Sequence, residues 1–281
     1  EKFSMFVDGT EVQGELLGSL VGTGPGGGDV VEAPARRFPL LGSIQEMVPG
    51  ESLVARRTFT LEEDLYLNEH TLGGPVSTTD PSLRGLPVMG LAFSQEVAAE
   101  AAAALFPDRK VVAMLDTRLH RWIFLDQGSV TLRVMANRQE AEGDEALVRV
   151  ALQQEDAGDP RLFPVMVEAT VLLAPTEPAP PRSRASSLHD ATACNWAGAE
   201  IYPRRTFHAP LFQGVRSISR LSEEGLDGTV SVLPRSGLVR NDAHPELEMD
   251  PLLLDTLGQA AWLWDSRKPF AGRAYVKYAQ S

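Results

Sequence analysis

The chain has 281 residues, 43% of them apolar, and a formal net charge of −12. That length holds one large domain or two small ones, either able to bury a core, and the negative charge argues against nucleic acid as a partner, because phosphate binding needs a positive surface. No apolar run reaches the roughly 20 residues of a membrane span. The start, Glu1-Lys-Phe-Ser-Met5, has neither a signal-peptide layout nor an initiator methionine, so the chain is read as a segment of a longer polypeptide. Cys194 is the only cysteine and reads as a small filler residue. A lone cysteine forms no internal disulfide, which fits a reducing cytoplasm.

In chain order, residues 1–33 are Gly-rich and read as a linker, with Gly24 to Gly28 lacking the strand and helix that a nucleotide loop needs. Ser52–Leu61 is strand-like, with β-branched and alternating residues. The run from Leu91 to Phe106, dense in alanine and stopped by Pro107, predicts a helix that can sit close against a sheet on several sides. Strands are expected over Lys110–Leu125, Ser129–Asn137, Ala146–Gln153 and Phe163–Ala174. The third alternates most cleanly, Val148, Val150 and Leu152 against Arg149 and Gln153. A Pro/Ser-rich linker follows over 176–189. Beyond it, strands at Gln213–Leu221 and Gly228–Leu233 precede a second helix, Pro251–Trp264, with Asp250 as its cap and Pro251 in its first position. Strands followed by one helix thus occur twice, an α+β arrangement, and the second copy is shorter as the sequence stands.

Three motifs carry a resemblance. Tyr66-Leu-Asn-Glu-His70-Thr-Leu-Gly-Gly74 is followed, after an apparent insertion at Pro75–Arg84, by Gly85-Leu-Pro-Val-Met-Gly-Leu-Ala-Phe93. Phe207-His-Ala-Pro-Leu-Phe-Gln-Gly214 comes after the Pro/Ser linker, and Pro251-Leu-Leu-Leu-Asp255-Thr-Leu-Gly-Gln259 opens the second helix. In this order they resemble the dehydratase domains of type I polyketide synthases, related to those of polyunsaturated-fatty-acid synthases, and Arg37-Phe-Pro-Leu-Leu-Gly42 resembles that domain's opening. Gly90 stands where the family usually has proline, Ala209 replaces a glycine, and His208 stands where many members carry tyrosine.

The resemblance implies an α+β double hot-dog fold, two antiparallel sheets each wrapping one central helix. Its N-terminal hot-dog would span 34–175 and its C-terminal one 190–281, with the active site between them. It also implies His70 and Asp255 as the catalytic pair. Removing water from a 3-hydroxyacyl thioester takes a base at C2 and an acid at the C3 hydroxyl. Histidine titrates near neutrality and suits the first role. A carboxyl group has to be kept protonated for the second, and apolar neighbours such as Leu252, Leu253, Leu254, Leu257, Ala260 and Trp262 favour that.

Substrate contacts are expected from Gln259, His208, Pro210 and the start of the Ala-rich helix at Gly90 and Leu91. Gln259 lies four residues after Asp255 on one helical face, and the helix start offers free N–H groups to a polarised carbonyl. His208 reads either as a hydrogen-bond donor in place of the family's tyrosine or as a strand filler. The pairs Trp122 with Phe124 and Trp262 with Trp264 read as core, with an acyl-tunnel lining as the alternative. His120, His189 and His244 have no ligand spacing, so no metal site is expected. No diffusible cofactor is implied, since the phosphopantetheine arm belongs to an acyl carrier protein. That carrier and the neighbouring synthase domains are the expected partners, and a homodimer stays open. Double-bond isomerisation, pyran formation, product-template cyclisation and a silent scaffold module remain alternatives on the same fold.

Overall fold

A computed structural model describes residues 37–75, 84–141, 143–155, 163–179, 188–240 and 242–265, together with the backbone of 2–7 and 10–15. Those last two stretches are strands β1 (Lys2–Val7) and β2 (Thr10–Glu15), which pair antiparallel, so the expected linker over 1–33 is corrected at its beginning. The Gly24–Gly28 run lies outside the described residues.

The larger sheet has the order β3 (Ser43–Val48), β4 (Ser52–Thr60), β9 (Ser129–Gln139), β10 (Ala146–Gln154), β11 (Val165–Ala174), β7 (Lys110–Leu119), all antiparallel. Before its central strands come β5 (Thr71–Pro75), β6 (Arg84–Met89) and helix α1 (Leu91–Leu105). The strands that follow are β7 (Lys110–Leu119), β8 (Ile123–Phe124), β9 (Ser129–Gln139), β10 (Ala146–Gln154) and β11 (Val165–Ala174). The single strand expected over Lys110–Leu125 is therefore two. The break falls where His120 and Arg121 both donate their backbone N–H to the Met166 carbonyl, and β8 leaves the large sheet to pair with β6.

Alternation decides which face is covered. Ala136, Val150 and Ala169 stand directly opposite one another on β9, β10 and β11, and all three are buried. Small side chains in register leave a shallow trough, and α1 lies across β4, β7, β9, β10 and β11. Its alanines let it approach closely, and almost every side chain on it is buried. Edge strand β3 is exposed at every position, so it has no inside-outside alternation, and it falls in the stretch from Arg36 onward whose pattern reads as strand-like.

Two buried carboxylates clamp α1. Glu100 accepts the Leu40 N–H at 2.8 Å, and Glu96 accepts the N–H groups of Glu248 and Met249 at 2.7 and 2.8 Å. The helix is thereby tied both to the domain's opening and to the loop leading into the second helix. Burial pushes Glu96 up from 4.5 to about 7, against the pull of those two N–H donors. A folded-state value above the unfolded one stabilises at low pH, and that contribution is lost as pH rises from 4.5 through about 7. Wild type is thus expected to lose stability over that window relative to Glu96→Gln. Denaturant midpoints of both proteins across the window measure this, and a pH-independent gap between them would refute it.

The second half contains β12 (Thr192–Ala197), α2 (Gly198–Arg205), β13 (Val215–Leu221), β14 (Leu226–Val230) and α3 (Pro251–Asp265). Strands β12, β13 and β14 form an antiparallel sheet, and α3 packs on β13 and against α1. Asp250 caps α3 as expected, its Oδ1 accepting the Leu253 N–H at 3.0 Å. Strand β12 and helix α2 were not foreseen: α2 is two turns long and carries Pro203 inside it, which leaves no apolar periodicity to read.

Candidate active site

The two halves are joined at backbone level where His70 meets His208. These residues form an antiparallel bridge, and the Ala209 N–H donates to the Glu69 carbonyl at 3.1 Å. Cross-strand neighbours of this kind hold their side chains on one side of the ladder a few ångströms apart. The two imidazole centroids are 5.2 Å apart.

His70, on the segment entering β5, is 4% exposed and is held twice by Val88. Its carbonyl accepts the Val88 N–H at 3.1 Å, and its Nδ1 lies 2.8 Å from the Val88 carbonyl. A carbonyl oxygen only accepts, so Nδ1 carries a proton, and in the neutral ring Nε2 then presents its lone pair. That lone pair faces α3: Nε2 lies 3.9 Å from Asp255 Oδ1. Phe207 and Phe212 pack around the ring, with centroids 5.2 and 5.3 Å away.

Asp255 sits one turn into α3 and uses its two oxygens differently. Oδ2 accepts the Gln259 Nε2–H at 2.7 Å and lies 3.4 Å from His208 Nε2. Oδ1 faces His70. Gln259 is itself locked, donating also to the Phe212 carbonyl at 2.9 Å and accepting the Tyr202 hydroxyl at 3.1 Å. Tyr202 in turn accepts the Val215 N–H at 2.7 Å. Both Gln259 donors and its acceptor are thus committed, which fixes the amide orientation and with it the rotamer of Asp255. Because Oδ2 is occupied as an acceptor, a proton for transfer belongs on Oδ1.

Tyr202 was missed by sequence reasoning, since it lies in the unforeseen α2. Burial raises its hydroxyl to about 12, so it stays a donor. Tyr202→Phe removes one buried hydroxyl and orphans both the Val215 N–H and Gln259 Oε1. The expected loss is about 1–3 kcal/mol of stability, with kcat falling while the fold persists. Urea unfolding and steady-state kinetics check the two parts, and a variant with wild-type values in both would show that the relay carries nothing.

His70, His208, Asp255 and Gln259 line one cavity of about 200 Å³, together with Gly90, Leu91, Leu119, Trp122, Thr206, Phe207, Gly258 and Trp262. Gly90 and Leu91 are where the sequence placed them, at the N-terminus of α1, whose first N–H groups have no partner within the helix. A Cβ at Gly90 would lie 3.4 Å from His70 Nε2 and 3.6 Å from Asp255 Oδ1, so glycine leaves the space between the pair open. Pro210 is a correction. It is exposed and does not line the cavity; it starts the one-turn helix Pro210–Phe212, which delivers the Phe212 carbonyl to Gln259. Of the tryptophans expected as core, Trp122 and Trp262 line the cavity, while Trp264 is core in the second half.

His208 is no mere filler of the strand. Burial pulls it down to about 4, with the Asp255 charge opposing, so the ring is neutral near pH 7. Its Nδ1 is buried without a hydrogen-bond partner. His70, His208 and Asp255 each bring one ligand-type atom within 4.8 Å of the others. This clustering was invisible in the sequence because the three residues come from three separate segments.

A large antiparallel sheet carrying α1, a smaller one carrying α3, and a site at the seam between them define the class: an α+β double hot-dog fold with a His/Asp cavity. Among solved structures the chain is similar to the dehydratase domain from the CurF module of curacin polyketide synthase, with a TM-score of 0.57, 16% identity, and coverage of 80% of this chain and 76% of that one. It is also similar to the dehydratase domain of the polyketide synthase PpsC from Mycobacterium tuberculosis, with a TM-score of 0.54, 17% identity, and coverage of 81% and 74%. A variant of the first GphF dehydratase domain, described as isomerase-inactive, gives a TM-score of 0.56 at 17% identity, covering 82% and 74%. Neither a protein-family model nor a curated protein sequence matches the chain. No helix among the described residues is long and apolar enough to cross a membrane.

Proposed function

We propose that the chain is a dehydratase domain of a polyketide-synthase-type multienzyme, converting a 3-hydroxyacyl thioester into a trans-2-enoyl thioester. The observation that carries this reading is the approach of the His70 Nε2 lone pair to within 3.9 Å of Asp255 Oδ1 across a cavity walled by aromatic and aliphatic side chains. His70 Nε2 takes the C2 proton, the C–H electrons form the C2–C3 double bond, and the C3–O bond breaks as Asp255 Oδ1 protonates the departing hydroxyl to water. The pair is then left as imidazolium and carboxylate, and a proton returning from Nε2 to Oδ1 resets it. The sequence balances with no cofactor. Charge building on the thioester oxygen is met by the free N–H groups at Gly90 and Leu91.

Two further solved structures of similar fold lend support: variants of the CurK dehydratase, one with a histidine changed to phenylalanine and one with an aspartate changed to asparagine, are described as inactive. The substrate is then an acyl chain on the phosphopantetheine arm of an acyl carrier protein. Isomerisation is the second reading, favoured by the GphF likeness. Incubation with a 3-hydroxyacyl pantetheine surrogate, followed by mass spectrometry, separates the readings. Dehydration removes the mass of water, and isomerisation of an enoyl surrogate conserves mass. Unchanged substrate in both assays would sink the catalytic reading and leave a silent module.

A further inference from the structure

We propose that His70, His208 and Asp255 form a binding site for a divalent transition cation of the zinc class, and that the bound cation shuts off the proton chemistry of the same cavity. The donor set is two imidazoles and one carboxylate, three protein ligands around an open cavity, which is the composition of an open zinc site or of a facial triad.

Geometry supports it at several levels. The two histidines are cross-strand neighbours fixed by a backbone bridge, so their rings converge without help from flexible loops. With metal–ligand bonds of about 2.0–2.2 Å, tetrahedral ligands stand about 3.4 Å apart. His208 Nε2 and Asp255 Oδ2 are 3.4 Å apart, and His70 Nε2 and Asp255 Oδ1 are 3.9 Å apart. These two approaches use different oxygens of Asp255, and the three ligand atoms lie within 4.8 Å of one another, so the side chains must draw together by up to about 1.4 Å to reach tetrahedral spacing.

The outer contacts are those of metal ligands. His70 donates Nδ1–H to the Val88 carbonyl, the arrangement that fixes a ligating tautomer, and Gln259 holds the carboxylate. His208 Nδ1 has no hydrogen-bond partner, and its Nε2 faces Asp255 Oδ2 at 3.4 Å, so ligation by Nε2 moves the ring's one proton to Nδ1. The ≈200 Å³ cavity has room for a water or a carbonyl oxygen as fourth ligand. Bound metal occupies the His70 Nε2 lone pair, the group that takes the C2 proton. That inhibitory consequence rests on the dehydratase reading; binding itself does not.

The test uses chelator-treated protein. Zn2+ is titrated calorimetrically, and Co2+ is titrated for the visible absorption of a four- or five-coordinate ion. One equivalent is expected to bind wild type. His208→Ala and Asp255→Ala are each expected to weaken binding by more than about 100-fold, and Gln259→Ala by about tenfold, the lower end of an outer-shell change. No stoichiometric binding to wild type, or His208→Ala binding as wild type does, overturns the site. A zinc anomalous peak in soaked wild-type crystals gives a second measurement that depends on no variant: a peak between the three side chains supports the proposal, and one found only elsewhere overturns it. Dehydration is assayed separately without metal, so a failed dehydratase reading and a failed metal site give different results.

Discussion

Asp255→Asn is expected to lower dehydration by about 10³-fold, within the range that positioned acid–base groups contribute, without unfolding the chain. The substitution is nearly isosteric, and the surrounding hydrogen bonds predict how it will sit. Gln259 donates to Oδ2, so the new amide must turn its oxygen there and its NH2 toward His70 Nε2. The acid is then gone, and the base faces a donor instead of open space. His70→Phe keeps a ring between Phe207 and Phe212 but removes the base, with a loss of similar size expected. Because acid and base act in one elimination, the double variant should be about as slow as either single one. Single-turnover rates on a 3-hydroxyacyl pantetheine surrogate, with surrogate affinity measured alongside, make the comparison. Multiplicative losses would mean the two side chains act in separate events, and wild-type rates in either variant would remove it from the chemistry.

How far the sequence went depended on whether a residue's role was written locally. Helix α1 announced itself through its alanines, and α3 through Asp250 and Pro251, because propensity and capping act over a few neighbouring residues. His70, Asp255 and Gln259 were legible through ordered motifs, and the i, i+4 spacing of the last two correctly placed their side chains together. Strand β3 was legible only as part of the strand-like stretch from Arg36 onward, without bounds of its own, because every residue in it is exposed. Tyr202 was hidden because the Val215 N–H and Gln259 that it joins lie 13 and 57 residues away in the chain. Trp122 and Trp262 show the same limit: an aromatic residue in an apolar stretch is equally suited to a core and to a cavity wall, and only the packing of the two halves decides. Pro210 failed differently, since its motif position was right and its effect is exerted through the Phe212 carbonyl rather than by contact.

Gly214→Ala is expected to damage the site without touching any reacting atom. Gly214 lies between the one-turn helix and β13, where α3 crosses. A Cβ built there would stand 2.2 Å from Thr256 Oγ1, 2.7 Å from its Cγ2 and 3.0 Å from its Cβ. Thr256 is fully buried and its hydroxyl donates to the Leu252 carbonyl, so it cannot simply swing aside. The helix itself must then move, and Asp255 is the preceding residue. Overpacking of this kind costs about 1–3 kcal/mol, and a 1 Å misplacement of a catalytic group is enough to lose about 100-fold in rate. Thr256→Ala removes two of the three clashing atoms, so Gly214→Ala/Thr256→Ala should recover part of both stability and rate, a coupling that additive losses would not produce. Urea unfolding and kcat on the four proteins of this cycle decide it. A Gly214→Ala protein as stable and active as wild type would mean that the close approach of α3 to this turn is not what sets Asp255 in place.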